Sequence, residues 1–281
     1  MAQPDLTQVA SVEGLKWSIG PGERALSFPT QETVVTEEPL EIRLVHDGKV
    51  ESVSVTMRTP TDDASLAAGF LFTEGILTDR SEVERIESHR DEGDHILDVH
   101  TRRAVTVDPA LRRQFLTNSS CGVCGRALVQ GLYAERGGPV TSALRVRARR
   151  LLEMPSRLRG AQPLFDRTGG LHAAGLFSPE GRLAVVAEDI GRHNAVDKVV
   201  GVRFLGGHLP DSGLVLQVSG RVSFEIVQKA AAAGLPVVSA VSAPSSLAVS
   251  AADRLGITLI AFVREDRLSV YAHPERVVDG D

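Results

Sequence analysis

The sequence predicts an α/β protein in which a helix-covered sheet follows a smaller β-rich unit, and two patterns carry that expectation. In the second half, short apolar runs at 183–187, 214–218, 236–241 and 258–263 are separated, between the last three, by helical windows at 224–233 and 246–255. Strands joined through helices of that length need crossover connections, which implies a largely parallel sheet covered on both faces. In the first half, residues 41–57 alternate apolar and polar residues on either side of Asp47-Gly48, the signature of a β-hairpin.

Taken in order, residues 1–20 read as a tail, 21–117 as the β-rich unit and 118–281 as the α/β unit. The start mixes Gln, Asp, Thr and Glu without a basic head or an apolar run, so no signal peptide is expected and the protein is placed in the cytoplasm. Ile42 and Leu44 supply one strand of the hairpin and Val53, Val55 and Met57 the other. After Pro60, the polar Thr61-Asp62-Asp63 precedes Leu66, Ala67, Phe70 and Leu71, which predicts a capped helix ending near Gly75. Further strands are expected at 96–99 and 104–107. The stretch 154–168, with Pro155, Gly160 and Pro163, reads as a linker or surface excursion.

Composition limits the functions. With 281 residues and 42% hydrophobic content, the chain can bury one full core or two unequal ones. Its 31 Lys plus Arg against 36 Asp plus Glu give a net charge of −5, which argues against a polyanion-binding surface, so any anionic ligand must be held locally. No apolar stretch approaches the roughly 20 residues of a membrane span.

The two cysteines fall in one window, Asn118-Ser119-Ser120-Cys121-Gly122-Val123-Cys124-Gly125-Arg126, just before a run with helical spacing. Free N–H groups at a helix start, with Arg126 nearby, favour thiolate over thiol, and Gly122 and Gly125 give the loop freedom to move. Spacing alone leaves a metal site, dithiol redox chemistry, sulfur transfer and an inert pair all open. Zinc would need two more ligands, for which His172 and His193 are available.

Three loops follow expected strands: Ser219-Gly220-Arg221, Ser242-Ala243-Pro244-Ser245-Ser246 and Arg264-Glu265-Asp266-Arg267. The ends of parallel strands form ligand crevices, and helix starts with a nearby arginine suit phosphate. Two further segments, 168–174 and 188–198, each place a histidine close to glycine. The group Asp189, Arg192, His193, Asn194, Asp197 and Lys198 is expected to recognise a guanine edge or to orient the cysteine loop.

In combination these residues resemble the FdhD family, the sulfur-carrier proteins required for formate dehydrogenase activity. The resemblance runs in order through Met57-Arg58-Thr59-Pro60, the segment 68–75, Cys-Gly-Val-Cys-Gly, the segments 168–174 and 188–198, Ser219-Gly220-Arg221 and the segment 262–271. It implies a fold like that of cytidine deaminases. It also implies that a cysteine desulfurase loads Cys121 with a persulfide, that Cys124 assists transfer or release, and that the sulfur passes to a molybdenum cofactor bearing two molybdopterin guanine dinucleotides. Phe262, Val263, Arg264, Glu265, Asp266 and Arg267 are implied to contact that cofactor, which guanine nucleotides would mimic. The implied partners are the desulfurase and the formate dehydrogenase catalytic subunit, with a homodimer left open and with no nucleic acid, membrane or resident metal. The competing reading is a zinc-dependent deaminase, but there a His-x-Glu precedes Pro-Cys-x-x-Cys, whereas His172 follows the cysteines and has no glutamate two residues on. A third reading is a cofactor-binding chaperone in which the cysteines are incidental.

Overall fold

A computed structural model describes residues 8–21, 25–105, 107 and 138–279. The first described element is a two-stranded ribbon, β1 (Val9–Ser18) paired antiparallel with β2 (Leu26–Val35). Val9–Ser18 belongs to the stretch read as a tail. β3 (Glu38–His46) and β4 (Lys49–Arg58) form the expected hairpin, and Asp47 and Gly48 at its tip both have positive φ, 47° and 75°, as a two-residue hairpin turn requires. β5 (Val83–Asp91) and β6 (Asp94–Thr101) complete a four-stranded sheet of order β4-β3-β6-β5.

Helix α1 (Asp63–Thr73) covers one face of that sheet, burying Leu66, Ala67 and Leu71 against Leu40, Ile42, Leu44 and Val99. No strand forms at 104–107 among its described residues. The chain turns there instead, with the Thr101 hydroxyl donating to the Arg103 carbonyl, and Val105 and Val107 pack on the apolar cluster as plugs.

The stretch expected as a linker contains two helices, α2 (Ala148–Arg159) and α3 (Pro163–Thr168). Pro155 lies inside α2, where a proline is expected to end a helix. Leu151, Met154 and Leu158, spaced to share a face, are fully buried and hold the helix against the sheet despite the lost N–H. A short strand, β7 (Val146–Arg147), pairs with β14 (Val277–Val278) at the end of the chain.

The main sheet comprises β8 (His172–Phe177), β9 (Leu183–Asp189), β10 (Val215–Val218), β11 (Val237–Ala240), β12 (Thr258–Ala261) and β13 (Ser269–Ala272), in the order β13-β12-β11-β10-β8-β9. It is mixed rather than largely parallel. Only β10–β11 and β11–β12 are parallel, through crossovers carrying α5 (Phe224–Ala232) and α6 (Ser246–Leu255). Short connections force the flanking strands to reverse: a turn closed by Ser178 N–H to Arg182 joins β8 to β9, and one closed by Arg264 N–H to Arg267 joins β12 to β13. Helices lie on both faces. Leu216, Val218, Val238 and Leu259 pack with α5, α6 and α4 (Arg192–Leu205), while Phe177, Val215, Val237 and Ile260 pack with α2.

α1 and α4 cross at two glycines. A Cβ added to Gly69 would lie 1.8 Å from the Asp197 carbonyl oxygen, and one added to Gly201 would lie 1.8 Å from that of Ser65. Only glycine permits so close a backbone approach, and this crossing joins the four-stranded unit to the six-stranded one. No helix among the described residues is long and apolar enough to cross a membrane.

Candidate functional site

Because β10, β11 and β12 run parallel, their carboxyl ends lie on one edge of the sheet, and each is followed by one of the three loops singled out in the sequence. The loops interlock. Val222 bridges to Pro244, Ser245 N–H donates to the Val222 carbonyl, Phe262 N–H to the Ser242 carbonyl, and the Arg264 guanidinium to the Val241 carbonyl. The Ser245 hydroxyl accepts from Ala248 N–H and so caps α6.

β8 runs antiparallel to β10, which carries His172 to the same edge. Ser219 and Ala173 extend the ladder by a reciprocal pair, Ser219 N–H to the Ala173 carbonyl at 3.0 Å and Ala173 N–H to the Ser219 hydroxyl at 2.9 Å. The Gly220 backbone then packs on the His172 ring, so closely that a Cβ there would sit 3.2 Å from Nδ1. Burial holds the His172 pKa below the usual imidazole value, and the nearby Arg192, His193 and Arg221 push it in the same direction. This edge therefore concentrates positive charge around a ring held neutral. His193 Nε2 lies 3.0 Å from the Ser223 hydroxyl and 2.8 Å from Glu225 Oε2, and that hydrogen bond keeps the Glu225 carboxyl below its ordinary range.

The polar segment 188–198 divides into two classes. Asp189 is fully buried and accepts from Lys198 Nζ at 2.6 Å, Gly191 N–H at 2.7 Å, Asn194 Nδ2 at 2.9 Å and Thr59 N–H at 3.2 Å. Lys198, also fully buried, donates further to the Thr59 and Glu188 carbonyls and the Thr61 hydroxyl. Asn194 Nδ2 also donates to the Met57 carbonyl. Asp197 accepts from Lys229 and Thr73, and Lys229 also reaches Glu74, so the two carboxylates raise the lysine pKa against the effect of burial. Asp189, Asp197 and Lys198 are spent inside the protein, which leaves none of the three to read a guanine edge, while the partly exposed Asn194 is engaged by Asp189 and the Met57 carbonyl. They fix the loop that presents Arg192 and His193. Among the described residues, Arg192 Nε is buried without a hydrogen-bond partner.

The edge thus brings together Ser219, Gly220, Arg221, His172, Arg192 and His193 on one side, and Phe262 through Arg267 on the other. Val263 is buried beneath the second group, whereas Phe262, Arg264, Glu265, Asp266 and Arg267 are exposed, with Arg267 paired to Asp266. Cys121 and Cys124 lie outside the described residues. Sequence reasoning gave no local role to Thr59 and marked Thr61 only as a capping candidate, whereas both take hydrogen bonds from Lys198. Lys229 was likewise missed; it occupies an apolar helical window, where a buried cation demands a partner.

Comparison with known proteins is consistent along the length of the chain. A family model described as "FdhD/NarQ family" matches residues 35–278. A "Sulfur carrier protein FdhD" from Thermoplasma volcanium is 47% identical over 253 residues, covering 88% of this chain and 90% of the relative. Proteins of the same description from Streptomyces coelicolor and Mycolicibacterium paratuberculosis are 48% and 49% identical over 255 residues, each covering 88% of this chain and 89% and 92% of theirs. The crystal structure of a protein described as a candidate formate dehydrogenase accessory protein from Desulfotalea psychrophila superposes with a TM-score of 0.72 at 27% identity, covering 95% of this chain and 99% of that one.

Proposed function

The chain belongs to the FdhD/NarQ family, and from that membership we propose that it carries sulfur for the maturation of a formate dehydrogenase. The observation that carries this reading is the gathering of three strand-end loops, with His172, Arg192 and Arg221, at one edge of the sheet. In a chain nearly half identical to sulfur carriers, that edge is suited to hold an anionic substrate while a separate loop brings the sulfur.

The chemistry follows from the two cysteines. The Cys121 thiolate attacks the outer sulfur of a persulfide on the donor, a cysteine desulfurase. The donor's S–S bond breaks, its cysteine leaves as thiolate, and Cys121 becomes the persulfide. A persulfide is more acidic than a thiol and holds its outer sulfur ready for transfer. Attack by Cys124 on the inner sulfur expels hydrosulfide and leaves a Cys121–Cys124 disulfide, which a cellular thiol then reduces. The acceptor is the molybdenum cofactor with two guanine dinucleotides, a substrate held at the loop edge until the catalytic subunit of formate dehydrogenase receives it. The site of action is the cytoplasm. The parallel strand triplet with its two crossover helices supports kinship with cytidine deaminases.

Mass spectrometry tests the reading directly. After incubation with a cysteine desulfurase and cysteine, the chain should gain one sulfur and Cys121→Ala should not. Stoichiometric zinc with no persulfide would sink the proposal.

A further inference from the structure

The proposed route of sulfur leaves His193 without a task, yet the fold holds this ring from two elements at once. His193 stands in the first turn of α4, on the loop that Asp189 pins through Gly191 N–H and Asn194 Nδ2. Glu225 stands in the first turn of α5, just beyond the Ser219-Gly220-Arg221 loop. Nε2 of the ring lies 2.8 Å from Glu225 Oε2 and 3.0 Å from the Ser223 hydroxyl. The Glu225 carboxyl, held below its ordinary range by that contact, is ionised near neutral pH and only accepts. Nε2 therefore carries a hydrogen, and the neutral ring keeps its lone pair on Nδ1. Among the described residues Nδ1 takes no hydrogen bond, and the side chain is 31% exposed at the open edge. His172 is placed differently: its Nδ1 packs against Gly220, and among the described residues no carboxylate is hydrogen-bonded to it. A ring with one nitrogen fixed by a carboxylate and the other open can take a proton and then give it back.

We propose that His193 relays the proton in hydrosulfide release, with Glu225 as its positioning residue. This inference rests on the proposed function, in which the cysteine loop brings sulfur to this edge, and deepens it. A persulfide loses its proton more readily than a thiol, so the S–S bond of the anion, cleaved unaided, must expel a sulfide dianion, a poor leaving group. In the relay Nδ1 takes the proton of the Cys124 thiol. The thiolate attacks the inner sulfur of the Cys121 persulfide, and the bond to the outer sulfur breaks with its electron pair on that sulfur. Nδ1 then gives the same proton to the departing sulfur, while the hydrogen on Nε2 stays with Glu225. One thiol and one persulfide anion become one disulfide and one hydrosulfide, and the ring is restored.

The full chain, loaded by a cysteine desulfurase and cysteine and then freed of both, tests the relay in the absence of added thiol. Mass spectrometry follows persulfide turning into disulfide, and a sulfide electrode follows the hydrosulfide. His193→Ala should slow both by about 100-fold or more. Imidazole in the buffer should restore the rate in proportion to its concentration, which a purely structural loss does not allow. Glu225→Gln should slow release less, because the ring remains while the hydrogen on Nε2 is no longer fixed. Should His193→Ala fail to fold, His193→Gln, which keeps a polar side chain opposite Glu225, is expected to show the same slowing. Release at the wild-type rate from a loaded variant lacking His193 would overturn the relay and leave the sulfur-carrier reading intact. Slow release that imidazole does not restore would also overturn it, as would a folded variant that cannot be loaded, since His193 would then serve sulfur uptake. Absence of any persulfide on wild type would instead remove the proposed function, and the relay with it.

Discussion

At the edge of the sheet the histidine that faces the loops is kept from its proton. Burial lowers the His172 pKa, Arg192, His193 and Arg221 close by lower it further, and Asp189 pulls it the other way. Asp189 is already engaged by Lys198 at 2.6 Å. Because folding lowers the His172 pKa, the unfolded chain takes up the proton first. The contribution of this residue to stability is therefore full above the ordinary imidazole value of about 6.5 and declines as pH falls below it. Denaturant titrations between about pH 7 and pH 5 should show a shallower loss of stability in His172→Asn than in wild type. An identical slope in the two proteins would show that His172 titrates as it does in the unfolded chain.

The crossing of α1 and α4 depends on two residues that local sequence patterns treat as defects. Gly69 and Gly201 weaken their helices in isolation, yet each lets one helix backbone rest on the other. Gly201→Ala should destabilise the fold by about 3 kcal/mol or more, since the added carbon meets a backbone carbonyl that has no room to shift. An urea midpoint within error of wild type would refute the contact.

The same contrast explains what could be read from the sequence. The Asp47-Gly48 hairpin, α5 and α6 were legible because turn chemistry and apolar period agree with the tertiary environment. α2 was hidden because Pro155 outweighed the spacing of Leu151, Met154 and Leu158, and only packing reverses that balance. β8 was hidden because Ala173, Ala174 and Gly175 carry little strand preference and owe their place to neighbours on both sides. The antiparallel flanks of the sheet follow from turns that the periodic runs do not encode. In the candidate site, the loops after β10, β11 and β12 were legible as strand ends. The duty of Lys198 was not, because Thr59 and Thr61, which it holds, lie nearly half the chain away.

Taken as a whole, the molecule joins its two units through buried polar groups as well as glycines. Lys198 reaches Thr59 and Thr61, Lys229 reaches Thr73 and Glu74, Asn194 reaches Met57, and Thr59 N–H reaches Asp189. In each case one partner lies in the four-stranded unit and the other in the six-stranded unit. The two units cannot part without breaking these hydrogen bonds and the Lys229–Glu74 ion pair together with the glycine crossing, so they should melt as one. Scanning calorimetry is expected to give a single transition, with the calorimetric enthalpy matching the van't Hoff value. Lys198→Met sharpens the test, because it leaves Asp189 buried without its cation. It should lower stability by about 3–5 kcal/mol, and it should move the single transition rather than split it, since the glycine crossing and the Lys229 network still bind the units. Two resolved transitions in the variant would mean that Lys198 alone couples them. Two in wild type would mean that the units are thermodynamically separate, and that the loop presenting Arg192 and His193 is held by its own sheet and not by the strand end that carries Thr59.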